Sequence, residues 1–178
     1  MLYLGTTGTS RHQDGDGPLG SLTAPGSAIT YALDAEANHP VTVGIGLCTT
    51  GRGSAVLTAV TPTKTAGTGW RFLGLRTRTF VPTTQHPPGG SWGEFPPNLP
   101  DSLSPVAGTR VSSRCPSTGI LSIYTELLIG MAAGADTSGG GWLGVDVSYT
   151  LGRRAYVVSL GYNVVICGTA VASLHVCR

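Results

Sequence analysis

The stretch from Trp142 to Cys177 constrains this chain more than any other. Tyr156, Val158, Leu160, Tyr162, Val164 and Ile166 alternate there with Ala155, Val157, Ser159, Gly161, Asn163 and Val165. Successive side chains of a strand point to opposite sides, so this period of two gives an extended segment one strongly apolar face. Gly152-Arg153-Arg154 before the run and Gly168-Thr169 after it are turn-like breaks. With Trp142–Leu151 and Val171–Cys177 on either side, the reading is a β-meander of three strands.

The same alternation recurs upstream. Ala28–Leu33 reads as a strand. Val41, Val43, Ile45 and Leu47 alternate with Thr42, Gly44, Gly46 and Cys48, and Thr49-Thr50-Gly51-Arg52-Gly53 then turns the chain. Ala55, Leu57 and Ala59 alternate with Val56, Thr58 and Val60, so the two runs predict a hairpin. In Trp70–Val81, Leu73, Leu75, Thr77 and Thr79 oppose Phe72, Gly74, Arg76 and Arg78. Two arginines on one side suggest an exposed polar face. Residues 120–131 carry two patterns. Ile120, Ile123, Tyr124, Leu127, Leu128 and Met131 have helical spacing, with Ser117 and Thr118 as caps. Leu121, Ile123, Thr125, Leu127 and Ile129 fit one face of a strand, and the surrounding pattern favours the strand. The expected fold is all-β, with about eight to ten strands in a β-sandwich or jelly-roll-like barrel.

A chain of 178 residues suits one domain. Residues 1–27 are rich in Gly, Thr and Asp and read as an extended N-terminal arm, leaving 28–178 as a single β-domain. Residues 82–106 break the pattern with Pro82, Pro87, Pro88, Pro96, Pro97, Pro100 and Pro105. Proline cannot donate to a β-ladder, so this is a long extended loop with Trp92 and Phe95 embedded in it.

Charged residues make up only 11% of the chain, against about a quarter in a typical domain. The surface is therefore covered by Thr, Ser and Gly, and charge protects it poorly from association. The net charge is +2, Lys64 is the only lysine and there is no basic run. Replacing the counterions of a nucleic acid takes a cluster of Lys and Arg, so no nucleic-acid contact is expected. Met1-Leu2-Tyr3-Leu4-Gly5 is not a charged leader with an apolar core, and no apolar run is long enough to span a membrane. No membrane partner is expected, and assembly in a cytoplasm is. Cys48, Cys115, Cys167 and Cys177 are then expected as free thiols. A tight hairpin at Gly168-Thr169 would set Cys167 against Ala170 and Cys177 against Leu160, too far apart to bond.

Candidate chemistry reads as ordinary structure at each place. Asp14-Gly15-Asp16-Gly17 resembles the start of a calcium loop, but no glutamate follows until Glu36. Asp34, Glu36 and His39 could bind a metal or move a proton, yet they also suit a solvated loop between strands. His175 and Cys177 share a strand face without the second ligand pair that zinc needs. Gly139-Gly140-Gly141 precedes a strand and not a phosphate-binding helix. No nucleophile motif is present. The expectation is no catalysis, no metal and no cofactor. Trp70, Trp92 and Trp142 could form a sugar platform, although Trp70 and Trp142 sit at strand starts, where packing at the core edge is common.

The all-β patterning, the arm, the Pro-rich loop and the Thr/Gly surface together resemble virion structural proteins. Lysine-poor usage rich in Arg, Ala, Gly and Thr is similar to that of tailed-phage virion proteins, such as capsid decoration and minor tail proteins. The resemblance implies a small β-sandwich that binds other copies of itself and a larger capsid or tail protein, with the virion as its location. Tyr3 and Leu4 in the arm and Trp92 and Phe95 in the loop are the candidate interface residues. A jelly-roll coat protein of an icosahedral virus is a second reading. A carbohydrate-binding module, with a glycan as partner, is a third.

Overall fold

The computed structural model describes residues 17–22, 29–34, 38–81, 90–115, 123–136, 138–174 and 177. Its ten strands are β1 (Leu19–Ser21), β2 (Ile29–Leu33), β3 (Pro40–Thr49), β4 (Ala55–Ala66), β5 (Trp70–Phe80), β6 (Ser91–Trp92), β7 (Arg110–Val111), β8 (Tyr124–Ala133), β9 (Gly140–Leu151) and β10 (Arg154–Ile166). Sheet A has the order β1-β3-β8-β5, with β6 also on β3, and sheet B has the order β2-β10-β9-β4-β7. There is no α-helix among the described residues. The chain is an all-β sandwich, as the alternation predicts.

Period two decides how the sheets meet. Val43, Ile45 and Leu47 of β3 and Leu127, Ile129 and Met131 of β8 face Leu57 and Val60 of β4, Val145, Val147 and Tyr149 of β9, and Leu160, Tyr162, Val164 and Ile166 of β10. Each such side chain contributes about 1.5–3 kcal/mol on burial. A register shift between Phe72 and Gly74 turns Phe72 toward the end of the core. There it stacks on Trp142 at 5.3 Å.

Several expectations are corrected. The meander has two strands, β9 and β10. The third neighbour is β2, which runs parallel to β10 with Tyr162 opposite Ile29 and Ile166 opposite Leu33. The described part of Val171–Cys177 is no strand: Thr169–Val171 form one 3-10 turn, His175 and Val176 lie outside the described residues, and Cys177 lies beside Cys167. The predicted hairpin is absent because β3 and β4 lie in different sheets, so Thr50–Ser54 crosses the end of the sandwich. Part of the arm is an element, since Leu19–Ser21 pairs with Thr49–Leu47. Residues 124–131 are strand; Ser117, Thr118, Ile120 and Leu121 lie outside the described residues.

The cysteines are not free. Cys48 is bonded to Cys115 and Cys167 to Cys177, with Cα atoms 4.8 and 5.2 Å apart. The argument from hairpin register failed because the reversal after Cys167 is a helical turn, which brings a residue ten positions later back alongside it.

Candidate functional site

Every residue of β8 is buried. A strand at the middle of a sandwich sheet has one face in the core, so the other face of β8 needs a cover of its own. The Pro-rich loop supplies it. Its described part, residues 90–106, runs as a strap across the outer face of sheet A. Trp92 and Ser91 pair with Thr42 and Val43 on β3, and Ser104 forms a bridge with Thr77 on β5. The Gly44 N–H donates to the Gly90 carbonyl at 2.9 Å, and the Thr42 hydroxyl donates to the Glu94 carbonyl.

Glycines on the outer face mark where the cover lies close. The Phe95 ring sits directly on Gly130, where a Cβ would collide with it, and a Cβ at Gly74 would lie 3.1 Å from the same ring. Leu22 occupies the equivalent space over Gly46. A glycine inside a strand weakens it unless another group approaches closely, and here a group does so at each position.

A charged cluster is sealed under the strap. Arg78 of β5 donates from Nε to Glu126 Oε2 of β8 at 2.6 Å and from Nη1 to Asp101 Oδ2 of the strap at 3.1 Å. The Arg78 and Glu126 side chains are 0% exposed and that of Asp101 is 30% exposed. The guanidinium lies 4.0 Å from the Phe80 ring centroid and 5.4 Å from that of Trp92. Its Nη2 is buried and has no hydrogen-bond partner among the described residues. Nearby, the Tyr31 hydroxyl donates to the Gly44 carbonyl at 3.4 Å. Burial, then Tyr162, then Glu126 push its pKa above the ordinary value. The expectation of a polar face holding both Arg76 and Arg78 is thus corrected: Arg76 is exposed, while Arg78 is buried because its partners come from β8 and the strap.

The outer face of sheet B is the opposite case. Thr61, Asp146 and Ser159 form one cross-strand row, Ala59 and Ser148 with Val157 a second, and Val56, Thr150 and Ala155 a third. Ala59, Thr61, Thr63, Ala155 and Ser159 are exposed. The single carboxylate, Asp146, accepts from the Thr63 hydroxyl at 2.6 Å and the Ser159 hydroxyl at 2.7 Å. Every other side chain in these rows is small and neutral.

The candidates from the sequence fall as follows. Trp92 and Phe95 belong to the strap and are half-buried against the chain's own sheet. Tyr3, Leu4, Asp14, Asp16, Glu36 and His175 lie outside the described residues. Asp34, just after β2, and His39, just before β3, are both exposed. No group of three or more His, Cys, Asp or Glu residues among the described residues could hold a metal. No helix among them is long and apolar enough to cross a membrane. The tryptophans do not form a platform. Trp142 is buried in the core, Trp70 donates from its indole to the Gly67 carbonyl at 3.3 Å at a strand start, and Trp92 is in the strap.

Sequence reasoning missed Arg78, Asp101 and Glu126. One signal was present: glycines at alternate positions of β3, Gly44 and Gly46, imply something packed on that side. Comparison with protein families, with characterised proteins and with solved structures finds no match to the chain.

Proposed function

We propose that this chain is a non-enzymatic structural component of a virus particle, of the decoration or minor tail kind. In this reading its bare sheet B face docks on a larger capsid or tail protein. The observation that carries the reading is that face. Its Thr, Ser, Ala and Val side chains lose little rotamer freedom on docking. The one carboxylate already has two hydroxyl donors.

Docking through a face is favoured over strand addition. Among the described residues β7 covers β4 only at Ala55 and Val56. The open remainder of that edge carries Pro62 and Lys64, the chain's only lysine. Proline and lysine on an edge obstruct pairing with another strand. Two disulfides suit a particle that persists outside a reducing cytoplasm. The glycan reading is weaker, because the three tryptophans are dispersed. The coat-protein reading, in which the face meets another copy, is an outcome of the same test.

Particles from the organism that encodes the chain are purified and labelled with a gold-conjugated antibody raised against it. Label on capsids or tails in electron micrographs is expected. Recovery of the protein only from the particle-free fraction overturns the reading.

A further inference from the structure

The basic residues are scattered in sequence, but the topology gathers five of the eleven at one end of the sandwich. Arg52 is on the crossing from β3 to β4. Arg110 opposes Val56, the second residue of β4. Arg114 follows β7 and forms a bridge with Thr49, the last residue of β3. Arg153 and Arg154 are at the turn between β9 and β10, where Arg154 opposes Leu151. The loops touch one another: a Cβ on Gly53 would lie 3.2 Å from the Leu151 side chain. The Cys48–Cys115 disulfide fixes the same end.

All five arginines are exposed. None has an ion pair among the described residues, where both ion pairs belong to Arg78. The described carboxylates lie elsewhere. Asp34 and Asp136 sit at the opposite end, Asp146 is on the sheet B face, and Glu94, Asp101 and Glu126 belong to the strapped side. Five like charges without carboxylate partners among the described residues repel one another on one rim, and an oppositely charged surface would relieve them.

We infer that this arginine rim is a docking surface for an acidic protein surface, one that presents clustered Asp and Glu carboxylates. The inference rests on the assembly role proposed above and names the chemistry of the partner. Guanidinium forks pair with carboxylates through two parallel hydrogen bonds. A phosphate backbone is the lesser fit. The charges sit on separate loops at the end of a sandwich, and the aromatic pair at that end, Tyr149 and Tyr156, is stacked on itself at 5.3 Å instead of being presented to bases.

The probe is fluorescein-labelled poly-L-glutamate, read by anisotropy with the whole disulfide-bonded protein. Binding is expected to weaken about tenfold between ~50 and ~200 mM NaCl. The pair Arg153→Glu and Arg154→Glu should weaken it about tenfold or more at low salt. The pair Arg52→Ala and Arg114→Ala, on two other loops, should weaken it less but clearly. Arg71→Glu, at the far end of β5, should change it less than about twofold. Unchanged circular dichroism certifies each variant. No binding at low salt, or equal loss with Arg71→Glu, overturns the inference. Duplex DNA of equal charge binding about tenfold tighter than polyglutamate also overturns it and makes the rim a nucleic-acid surface. The gold-labelling test of particle location does not depend on this rim, so the two readings fail separately.

Discussion

The two outer faces of this sandwich solve the same problem in opposite ways. Each is the solvent side of a five-stranded sheet. Sheet A covers its side with the chain's own strap and seals a charged cluster beneath it. Sheet B leaves its side uncovered among the described residues and lines it with small neutral groups. The covered face contributes to stability, because its residues are out of water and depend on one another. The bare face contributes little, because its side chains are small and largely exposed. Low charge therefore means different things on the two sides. On sheet A it reflects burial, and on sheet B it leaves a surface of small side chains around one carboxylate.

The hardest way to break this contrast is to strike the buried cluster. Glu126→Leu leaves Arg78 with only Asp101, which is partly open to water. Removing one partner of a buried pair costs about 3–5 kcal/mol, because the other charge stays buried. Urea unfolding should show that loss, whereas Arg78→Met together with Glu126→Leu should restore much of it. If the single and double variants are equally destabilised, packing and not charge holds the strap.

The disulfides sharpen the comparison, since one serves each sheet. Cys48–Cys115 ties β3 of sheet A across a sequence separation of 67, and Cys167–Cys177 staples the end of β10 in sheet B across 10. Loop-closure entropy gives about 4 kcal/mol for the first and about 2.5 kcal/mol for the second. Paired Cys→Ser variants measured under the same conditions should keep that order. The reverse order would mean that the C-terminal loop matters more to the core than its length suggests.

Phe95→Ala comes next. The ring is half-buried, so the cost falls below the usual core value, at about 2 kcal/mol. Thermal unfolding should move accordingly while the circular dichroism of the sandwich persists. A change under about 0.5 kcal/mol would show that the strap rests on the face without stabilising it.

The inner layer was legible in the sequence and the outer layer was not, for a physical reason. Alternation in Val41–Cys48 and Ala155–Ile166 reports which side chains leave water together, and that reports the core between the sheets. It does not report what covers the reverse side. Arg78 reads as a solvent-facing residue because its partners, Glu126 and Asp101, are 48 and 23 positions away. Thr49–Gly53 reads as a hairpin turn because a crossing between sheets uses the same Gly-rich chemistry. The Cys167–Cys177 bond was lost to a wrong assumption about one turn. The basic rim was invisible for the same reason as the ion cluster: its five arginines meet only after the strands are placed.

The smallest expected effect on stability falls on the bare face. Ser148 lies in its middle row, on the central strand β9, between Ala59 and Val157. Ser148→Arg adds a long charged side chain that can extend into water, so nothing in the fold must move. Stability should change by no more than about 0.5 kcal/mol, as is usual for a surface position. Under the proposed docking role, attachment to particles should respond quite differently. A guanidinium at the centre of a flat contact props the surfaces apart, or is buried without a partner, which costs several kcal/mol. The measurement is a competition in which wild-type and variant proteins are mixed with particles stripped of this subunit, and the bound ratio is read by mass spectrometry. A strong excess of wild type, with equal melting temperatures for the two proteins, is the expected result. Equal incorporation would show that the bare face is only a solvated surface and would remove the observation that carries the proposed docking role.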